Sequence, residues 1–356
     1  MHERIEITAE PEVNIRLTVA IPTFDRNEIL KINLAKLIPQ LTPACELVIL
    51  DNCSPVPVED TLNDILASVP ENIKVRIIRH RANVGANENI LRCIEFAQGE
   101  FVWLLSDDNQ PVDSAVANIF QELDEHPEVL VLNMYAPNPK HTLRTSTEIV
   151  VGSTGYLTAS NVFGELILIS SMILKIDCAL HYMAVAHLWQ SSHAPHLIVA
   201  VMMLRPNGMS VFSSREVVDN GIVTTPKEKQ NSPIPIALGF STLVLASWNE
   251  EEARHIISLL KNTQQEWMTP KGVVNQLISI ASQGGNEGRC LALRYYYLLL
   301  RNFYAIGHPL SIERILFACA WPMVACPKMG RIIRNIAWRV FRGLPYDSGQ
   351  EFSLHR

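Results

Sequence analysis

Short apolar runs alternate with amphipathic segments through the first 140 residues of the chain. The apolar runs are rich in strand-forming residues, whereas the segments between them repeat apolar residues at helical spacing. Strands that alternate with helices of roughly ten residues indicate βαβ units, and therefore a mostly parallel sheet flanked by helices. The pattern predicts strands at 16–22, 46–50, 74–79, 101–105 and 129–133.

Polar side chains directly follow several of these predicted strands. The strand at 101–105 is followed by two adjacent carboxylates, Asp107 and Asp108, and polar loops at 23–26 and 51–54 follow two other strands. Because ligands bind at the carboxyl ends of strands in open α/β sheets, we expect these loops to form one site. A pair of carboxylates there suits a divalent cation and the phosphates that it carries. A simple turn is the alternative, since Asp and Asn favour turns.

Composition and charge narrow the class of protein. The 356 residues are 48% hydrophobic and 19% charged, which is typical of a globular chain with one large domain or two smaller ones. A net charge of −6 argues against a general nucleic-acid-binding protein. Seven scattered cysteines without a Cys-x-x-Cys pair indicate reduced thiols in a cytosolic protein. The polar start is not a secretory signal, and no apolar run is long enough for a membrane-spanning helix.

Phosphate-binding glycine motifs are missing from the chain. Neither Gly-x-x-x-x-Gly-Lys-Ser/Thr nor Gly-x-Gly-x-x-Gly after the first strand occurs, which counts against a P-loop and against a dinucleotide-binding domain. A cation held by carboxylates remains the natural way to neutralise a diphosphate. A phosphohydrolase or ATPase that uses such a cation is a weaker alternative, because the chain lacks the glycine-rich loop that would bind the phosphates.

Motifs in the first 110 residues resemble, in order, those of family-2 glycosyltransferases of the GT-A fold. They are Val-Ala-Ile-Pro-Thr-Phe-Asp-Arg at 19–26, Leu-Val-Ile-Leu-Asp-Asn-Cys-Ser at 47–54, Arg-Ala-Asn-Val-Gly at 81–85, Gly-Glu-Phe-Val-Trp at 99–103 and Ser-Asp-Asp at 106–108. The Trp-Leu-Leu-x-Asp-Asp sequence and Asn83-x-Gly-x-Asn87 resemble in particular abequosyltransferase-like enzymes, which build O-antigen units of lipopolysaccharide.

The resemblance implies a fold and a reaction. The fold is a Rossmann-like GT-A α/β sheet flanked by helices, followed by a helical C-terminal region. The reaction moves a hexosyl or deoxyhexosyl group from a nucleotide-diphosphate donor to a glycan or polyprenyl-diphosphate-linked acceptor, for O-antigen, capsule or a similar surface polysaccharide. It is expected to be assisted by Mg²⁺ or Mn²⁺ and to invert the anomeric configuration.

The resemblance also assigns roles to residues of the motifs. Asp108 is the expected metal ligand, and Asp51 is expected to accept hydrogen bonds from the nucleobase. Ser106 stands where relatives carry the first Asp of Asp-x-Asp, so we expect the metal to be bound more weakly or partly through substrate phosphates. The residues expected to border the nucleotide sugar are Pro22, Thr23, Asp25, Arg26, Asn83, Asn87 and Asp107.

The catalytic base has to come from the second half, where the family's acidic residues are missing. The chain has Ser-Ser-His-Ala-Pro-His at 191–196 instead. A histidine suits removal of a proton from a sugar hydroxyl because its unperturbed pKa is about 6.5. His193 and His196 are therefore candidate bases; contact with the diphosphate, metal ligation or helix capping are the alternatives. Asp219 is the reserve candidate, in a sequence that also suits a turn.

The sequence suggests three regions: a nucleotide-sugar-binding half at 1–140, an acceptor-binding half at 141–245 and a helical region at 246–356. In the last region, 328–342 contains five Lys or Arg residues, no acid, and apolar residues at helical spacing. Such a basic amphipathic helix suits an anionic membrane surface, although it could instead dock on the protein. With a lipid-linked acceptor, the protein would be cytoplasmic and peripheral on the inner face of the cell membrane.

A non-catalytic protein that binds a sugar nucleotide or a glycan is the alternative function. The missing acidic base and the serine at position 106 both motivate it. Release of a nucleoside diphosphate from a donor would distinguish an enzyme from such a binding protein.

Overall fold

A computed structural model describes most of the chain. The described residues are 3–7, 14–137, 143–160, 162–205, 207–222, 239–240, 242–246, 249–263, 270–283, 285–302, 312–326, 328 and 332. The chain divides into two compact units, Met1–Glu228 and Lys229–Arg356. The proposed regions 1–140 and 141–245 fall largely within the first unit, so the boundary between them stays a prediction.

A nine-stranded mixed sheet forms the centre of the first unit, in the order β1-β4-β3-β2-β5-β9-β7-β10-β8. The strands of this unit are β1 (Glu3–Ile7), β2 (Leu17–Thr23), β3 (Cys45–Asp51), β4 (Lys74–Arg79), β5 (Phe101–Leu104), β6 (Asn109–Pro111), β7 (Val129–Tyr135), β8 (Glu148–Val151), β9 (Met172–Lys175), β10 (Met209–Glu216) and β11 (Val218–Ile222). Strands β2, β3, β4, β5, β7 and β10 run in one direction, and β1, β8 and β9 run in the opposite one. The mostly parallel sheet predicted from the sequence is confirmed.

Helices connect the strands of the first unit. They are α1 (Asn27–Leu37), α2 (Val58–Leu66), α3 (Ala86–Phe96), α4 (Ala115–Glu125), α5 (Gly152–Ala159), α6 (Phe163–Ile167), α7 (Ile176–Leu180), α8 (Met183–Leu188) and α9 (Pro195–Met203). Helix α3 begins after Gly85, whose φ of 90° is readily adopted only by glycine. Pro195 opens α9, where its missing N–H costs no hydrogen bond.

The sheet core is apolar and holds one buried ion pair. All seven residues of β3 and all four of β5 are buried, as expected for strands covered on both faces. Arg76 Nε lies 2.7 Å from Glu46 Oε1, and the hydroxyl of Thr18 donates to Glu46 Oε2 at 2.8 Å. Gly99 enters β5 so close to β2 that a Cβ there would lie 2.9 Å from the backbone nitrogen of Thr18. These contacts fix the start of the strand that leads to the acidic pair.

Two segments outside the predicted strands shape the rest of the sheet. Helix α6 and a 3-10 turn at Ile169–Ser171 precede β9. Within the turn, the hydroxyl of Ser171 donates to the carbonyl of Leu168 at 2.8 Å. Asp219 lies on a strand, β11, rather than in a turn, since β11 pairs antiparallel with β6.

The second unit is helical in its described part. Its helices are α10 (Glu250–Thr263), α11 (Pro270–Gln283), α12 (Gly285–Asn302), α13 (Ile312–Cys319) and α14 (Trp321–Ala325). Tyr296 stacks on Phe317 with 4.9 Å between ring centroids, and its hydroxyl donates to the carbonyl of Ala318 at 2.9 Å. None of the helices in the described residues has the length and apolarity needed to cross a membrane. The predicted basic helix 328–342 lies outside the described residues except for positions 328 and 332.

Candidate active site

The acidic pair lies in the loop between β5 and β6 and is contacted by the loop that follows β2. Asp107 is only 5% exposed, and the hydroxyl of Thr23 donates to its Oδ2 at 2.7 Å. Arg26 Nη1 donates to Asp107 Oδ1 at 3.1 Å and to Asp108 Oδ2 at 2.9 Å. The parallel topology thus brings Thr23 to Asp107, and Arg26 to both carboxylates, at one edge of the sheet.

Hydrogen bonds from neighbouring elements hold the acidic loop in place. The hydroxyl of Ser106 donates to Asp108 Oδ1 at 2.5 Å and so orients the Asp108 carboxylate. Ser170 Oγ accepts from the Ser106 N–H at 3.0 Å and donates to Asn109 Oδ1 at 2.6 Å. The indole of Trp103 donates to the Ser170 carbonyl at 2.8 Å. Ser170 therefore supports the acidic loop.

Burial has a direct effect on the charge of Asp107. Desolvation raises the pKa of Asp107 to about 6, while the hydrogen bond from Thr23 and the charge of Arg26 act in the opposite direction. The neighbouring Asp108 carboxylate adds to the rise. On the other side of the loop, Asn33 of α1 donates to the Asp107 carbonyl at 2.7 Å and fixes the backbone. A cation beside the pair favours the ionised form, because opposite charge stabilises a carboxylate.

The donor atoms of the pair fit a divalent cation. Asp107 Oδ1 and Asp108 Oδ2 both lie within hydrogen-bond distance of a single nitrogen of Arg26, so the two oxygens converge on one point. Carboxylate oxygens are the ligands that Mg²⁺ and Mn²⁺ prefer. The convergence therefore provides two ligands, and further ligands would have to come from substrate or water.

A second acidic cluster in the described residues is occupied by an arginine. Glu122, Glu125 and His126 at the end of α4 place their donor atoms close enough to share an ion. The guanidinium of Arg215, however, donates to Glu122 and, at 2.9 Å, to Glu125. Arg215 thus neutralises this cluster, which lies on the helix that follows β6 rather than in the acidic loop.

Asp51 ends β3 and organises the loop that follows it. It is 1% exposed; its Oδ1 accepts from the Ser54 N–H at 2.8 Å and its Oδ2 from the Val58 N–H at 3.3 Å. Arg79, its register partner on β4, also donates to Oδ2. Both carboxylate oxygens are engaged within the protein, and the expected contact with the nucleobase stays a prediction. The pairing with Arg79 was missed, although both residues end neighbouring parallel strands.

The loops after β2, β3 and β4 are tied together. The Asn52 amide donates to Asn83 Oδ1 at 2.9 Å, and Asn83 Oδ1 also accepts from the Gly85 N–H at 2.8 Å. The N–H of Asp25, which has a φ of 56°, donates to the hydroxyl of Ser54 at 3.0 Å. Pro22 lies half-buried near the end of β2. Apolar side chains stand exposed on the same loops: Phe24, Val56 and Val84.

His193 lies beside the loop that opens α3. It has a φ of 60°, and its Nδ1 is 3.4 Å from Nδ2 of Asn87. The same Asn87 amide nitrogen donates to the Gln190 carbonyl at 2.8 Å. Two of the residues expected in the site, Asn87 and His193, are therefore brought together across about one hundred residues of chain.

The structure separates His196 from the other candidate bases. His196 is 2% exposed on α9, its Nε2 is 2.9 Å from the Ile167 carbonyl, and burial lowers the pKa of His196 to about 4. Because the His196 imidazole is buried, it is not open to a substrate hydroxyl in this structure, which does not support His196 as the base. Asp219 is exposed on β11, opposite β6, and β6 begins directly after Asp108.

A family model matches the segment that carries the acidic pair. The sequence from residue 18 to residue 184 matches the model of glycosyl transferase family 2. The matched segment is just under half of the chain. It includes β2 to β5 with the loops that follow them, whereas His193, His196 and Asp219 lie beyond its end. No sequence among the curated proteins compared is similar enough to count as a match.

Solved glycosyltransferase structures share the GT-A fold of this chain. S. aureus TarS 1-349 superposes with a TM-score of 0.55 at 14% identity, over 94% of this chain and 98% of TarS 1-349. Its complex with UDP-GlcNAc gives a TM-score of 0.53 at 13% identity, over 89% and 92%. Mannosyltransferase PcManGT from Pyrobaculum calidifontis, in complex with GDP-Man and Mn²⁺, gives 0.51 at 13% identity, over 90% of each chain. This chain covers 54% of the length of a longer S. aureus TarS structure.

Proposed function

We propose that the protein transfers a sugar from a nucleotide-diphosphate donor to a glycan or a lipid-linked acceptor. One observation carries the proposal: Thr23 and Arg26 contact the Asp107–Asp108 pair at the carboxyl edge of the sheet, inside the segment that matches glycosyl transferase family 2. Similar structures support it, since S. aureus TarS was solved with UDP-GlcNAc and PcManGT with GDP-Man and Mn²⁺.

Asp108 and Asp107 would hold a divalent cation, Mg²⁺ or Mn²⁺. A cation there supplies positive charge to the diphosphate leaving group as the bond to the sugar breaks. Thr23 and Ser106 keep the two carboxylates oriented through the hydrogen bonds that they donate. Asn83 and Asn87 border the same edge and face the donor, near the start of α3, where backbone N–H groups favour phosphate.

His193 is the proposed general base of an inverting transfer, with Asp219 as the second candidate. His193 is partly exposed and lies next to Asn87, at the edge where the donor would bind. Asp219 lies on the strand paired with β6 and is exposed. The pH dependence of turnover separates the two: loss of the acidic limb of the profile in His193→Gln, but not in Asp219→Asn, would identify the histidine.

The acceptor is proposed to be linked to a polyprenyl diphosphate at the inner face of the cell membrane. The basic segment 328–342 supports this placement by its charge and apolar spacing. The Trp-Leu-Leu-x-Asp-Asp sequence supports an abequosyltransferase-like enzyme of O-antigen or related polysaccharide synthesis. Removal of residues 330–356 should shift the protein from vesicles of anionic lipid to the supernatant in a sedimentation assay. Unchanged sedimentation would defeat the membrane assignment.

Release of a nucleoside diphosphate from a panel of donors tests the proposed reaction. The panel should contain UDP-, GDP-, CDP- and dTDP-sugars with Mg²⁺ or Mn²⁺, and the readout is the nucleoside diphosphate freed in the presence of lipid-linked acceptors. Asp108→Ala should abolish release, whereas Asp113→Ala removes an exposed carboxylate five residues away and should leave it intact. Near-normal release by folded Asp108→Ala would refute the proposed role of the pair.

A non-catalytic binding protein is the second candidate. Ser106 at the position of an aspartate, and an arginine already bound to both carboxylates, favour this alternative. Such a protein would bind a donor in calorimetry without releasing the diphosphate under any combination of metal and acceptor.

A further inference from the structure

The guanidinium of Arg26 lies where a cation shared by the two carboxylates would lie. Its Nη1 is 3.1 Å from Asp107 Oδ1 and 2.9 Å from Asp108 Oδ2. We propose that Arg26 is an exchangeable counter-ion: it neutralises the pair in the donor-free protein, is displaced by the divalent cation, and then turns to the donor diphosphate. This inference rests on the proposed function, because the diphosphate is what receives the displaced guanidinium.

A counter-ion is needed because the pair combines burial with like charge. Asp107 is 5% exposed and carries its carboxylate next to that of Asp108. Burying an ionised carboxylate without a partner is costly, and a second carboxylate adds repulsion. Thr23 supplies a hydrogen bond but no charge, whereas Arg26 supplies a positive charge to both residues. Arg26 is therefore the residue whose charge balances both carboxylates in this structure.

Hydrogen bonds from residues other than Arg26 hold the two carboxylates in place. Thr23 holds the second oxygen of Asp107, Asn33 holds its carbonyl, and Ser106 holds the second oxygen of Asp108. All three anchors belong to short hydrogen bonds of 2.5–2.7 Å. Arg26, by contrast, precedes the first turn of α1 and its side chain is one-third exposed. Its long side chain can leave the pair while the two ligand oxygens stay in place.

Exchange predicts that Arg26 competes with metal in the donor-free protein and cooperates with metal in the complex. A cation that enters the pair while the guanidinium remains would meet a like charge about 3 Å from its own ligands. Once the guanidinium contacts the diphosphate, it no longer opposes the metal and it neutralises part of the phosphate charge. Donor and metal should therefore bind with strong positive coupling, and that coupling should depend on Arg26.

A titration with Mn²⁺ alone tests the exchange without any turnover. Electron paramagnetic resonance measures the concentration of free Mn²⁺ and thereby the affinity of the protein for the ion. Arg26→Gln should bind Mn²⁺ at least tenfold more tightly than the wild type in the absence of nucleotide, and Arg26→Lys should fall between them. With saturating UDP or GDP, whichever binds, the advantage of Arg26→Gln should disappear. Lys31→Gln is the matched control: it removes a positive charge from the exposed surface of α1 and should bind Mn²⁺ like the wild type.

The outcomes separate this inference from the proposed function. Equal or weaker Mn²⁺ binding by folded Arg26→Gln without nucleotide would overturn the exchange, whatever the turnover. If the glutamine variant failed to fold, equal or weaker Mn²⁺ binding by Arg26→Lys would overturn the exchange in its place. If Arg26→Gln bound Mn²⁺ more tightly while the wild type released no nucleoside diphosphate from any donor, that combination would support the role of Arg26 as a counter-ion and refute the proposed sugar transfer.

Discussion

His196 should make the protein lose stability as the pH falls from 7 to 4. The imidazole is buried among apolar residues of α9, and its Nε2 is 2.9 Å from the carbonyl of Ile167. With a carbonyl as acceptor, the neutral ring carries its proton on Nε2, so a second proton would have to enter at the buried Nδ1. Burial lowers the pKa of His196 from 6.5 to about 4, although the hydrogen bond to Ile167 acts in the opposite direction.

The sign and size of the effect follow from proton linkage. The unfolded chain takes up a proton on His196 near pH 6.5, whereas the folded protein does so only near pH 4. Between these values the unfolded state binds more protons, so the free energy of unfolding falls as the pH falls. At about 1.4 kcal/mol for each tenfold difference in proton affinity, the loss reaches about 3 kcal/mol at pH 4. Above pH 6.5 the full stability is present.

Urea unfolding at several pH values between 7.5 and 4 measures this loss when the wild type is compared with His196→Gln. The glutamine amide can still donate to Ile167 but does not titrate, so the variant should lose about 2.5 kcal/mol less than the wild type by pH 4.5. His181→Gln, the same substitution at an exposed position, should behave like the wild type. If His196→Gln and the wild type lost stability in parallel, His196 would be accessible to solvent and would return to the candidate bases.

Three further predictions concern the supports of the site and of the sheet. Ser170→Ala removes two hydrogen bonds to the acidic loop, so we expect weaker Mn²⁺ binding and about 1–3 kcal/mol less stability, measured by metal titration and urea unfolding. Arg76→Leu leaves Glu46 buried without its partner and should cost about 3–5 kcal/mol in urea, whereas replacing both residues by leucine should cost much less. Burial acts to lower the pKa of His187, but hydrogen bonds with two flanking glutamates outweigh it and raise that pKa overall. The wild type should therefore lose its thermal-stability advantage over His187→Gln as the pH rises through the raised pKa.

The fold could be predicted from the sequence because local signals and topology agree. Uninterrupted apolar runs gave the parallel strands, and polar residues after them gave the loops that meet at one edge. The contact of Thr23 with Asp107 follows from this topology, since β2 and β5 are parallel neighbours. No detailed knowledge of side-chain packing was needed to bring those two residues together.

Side-chain partners across the fold were beyond prediction because sequence spacing does not encode them. Nothing in the spacing shows that Arg26 bridges both carboxylates, or that Arg79 takes an oxygen of Asp51. The burial of His196 depends on how α9 packs, and its neighbours at 197–201 are all apolar, which was the one available signal. His196 was a candidate base because of its residue type, but the structure buries its side chain.

The most direct test of the account is a crystal structure with Mn²⁺ and the nucleoside diphosphate that binds best, in which anomalous scattering locates the metal. We predict an anomalous peak beside the carboxylates of Asp107 and Asp108, with the diphosphate next to it and Arg26 moved from the pair to the diphosphate. A diphosphate bound away from Asp107 and Asp108, or a metal peak at Glu122 instead, would contradict the central claim that this pair is the donor site.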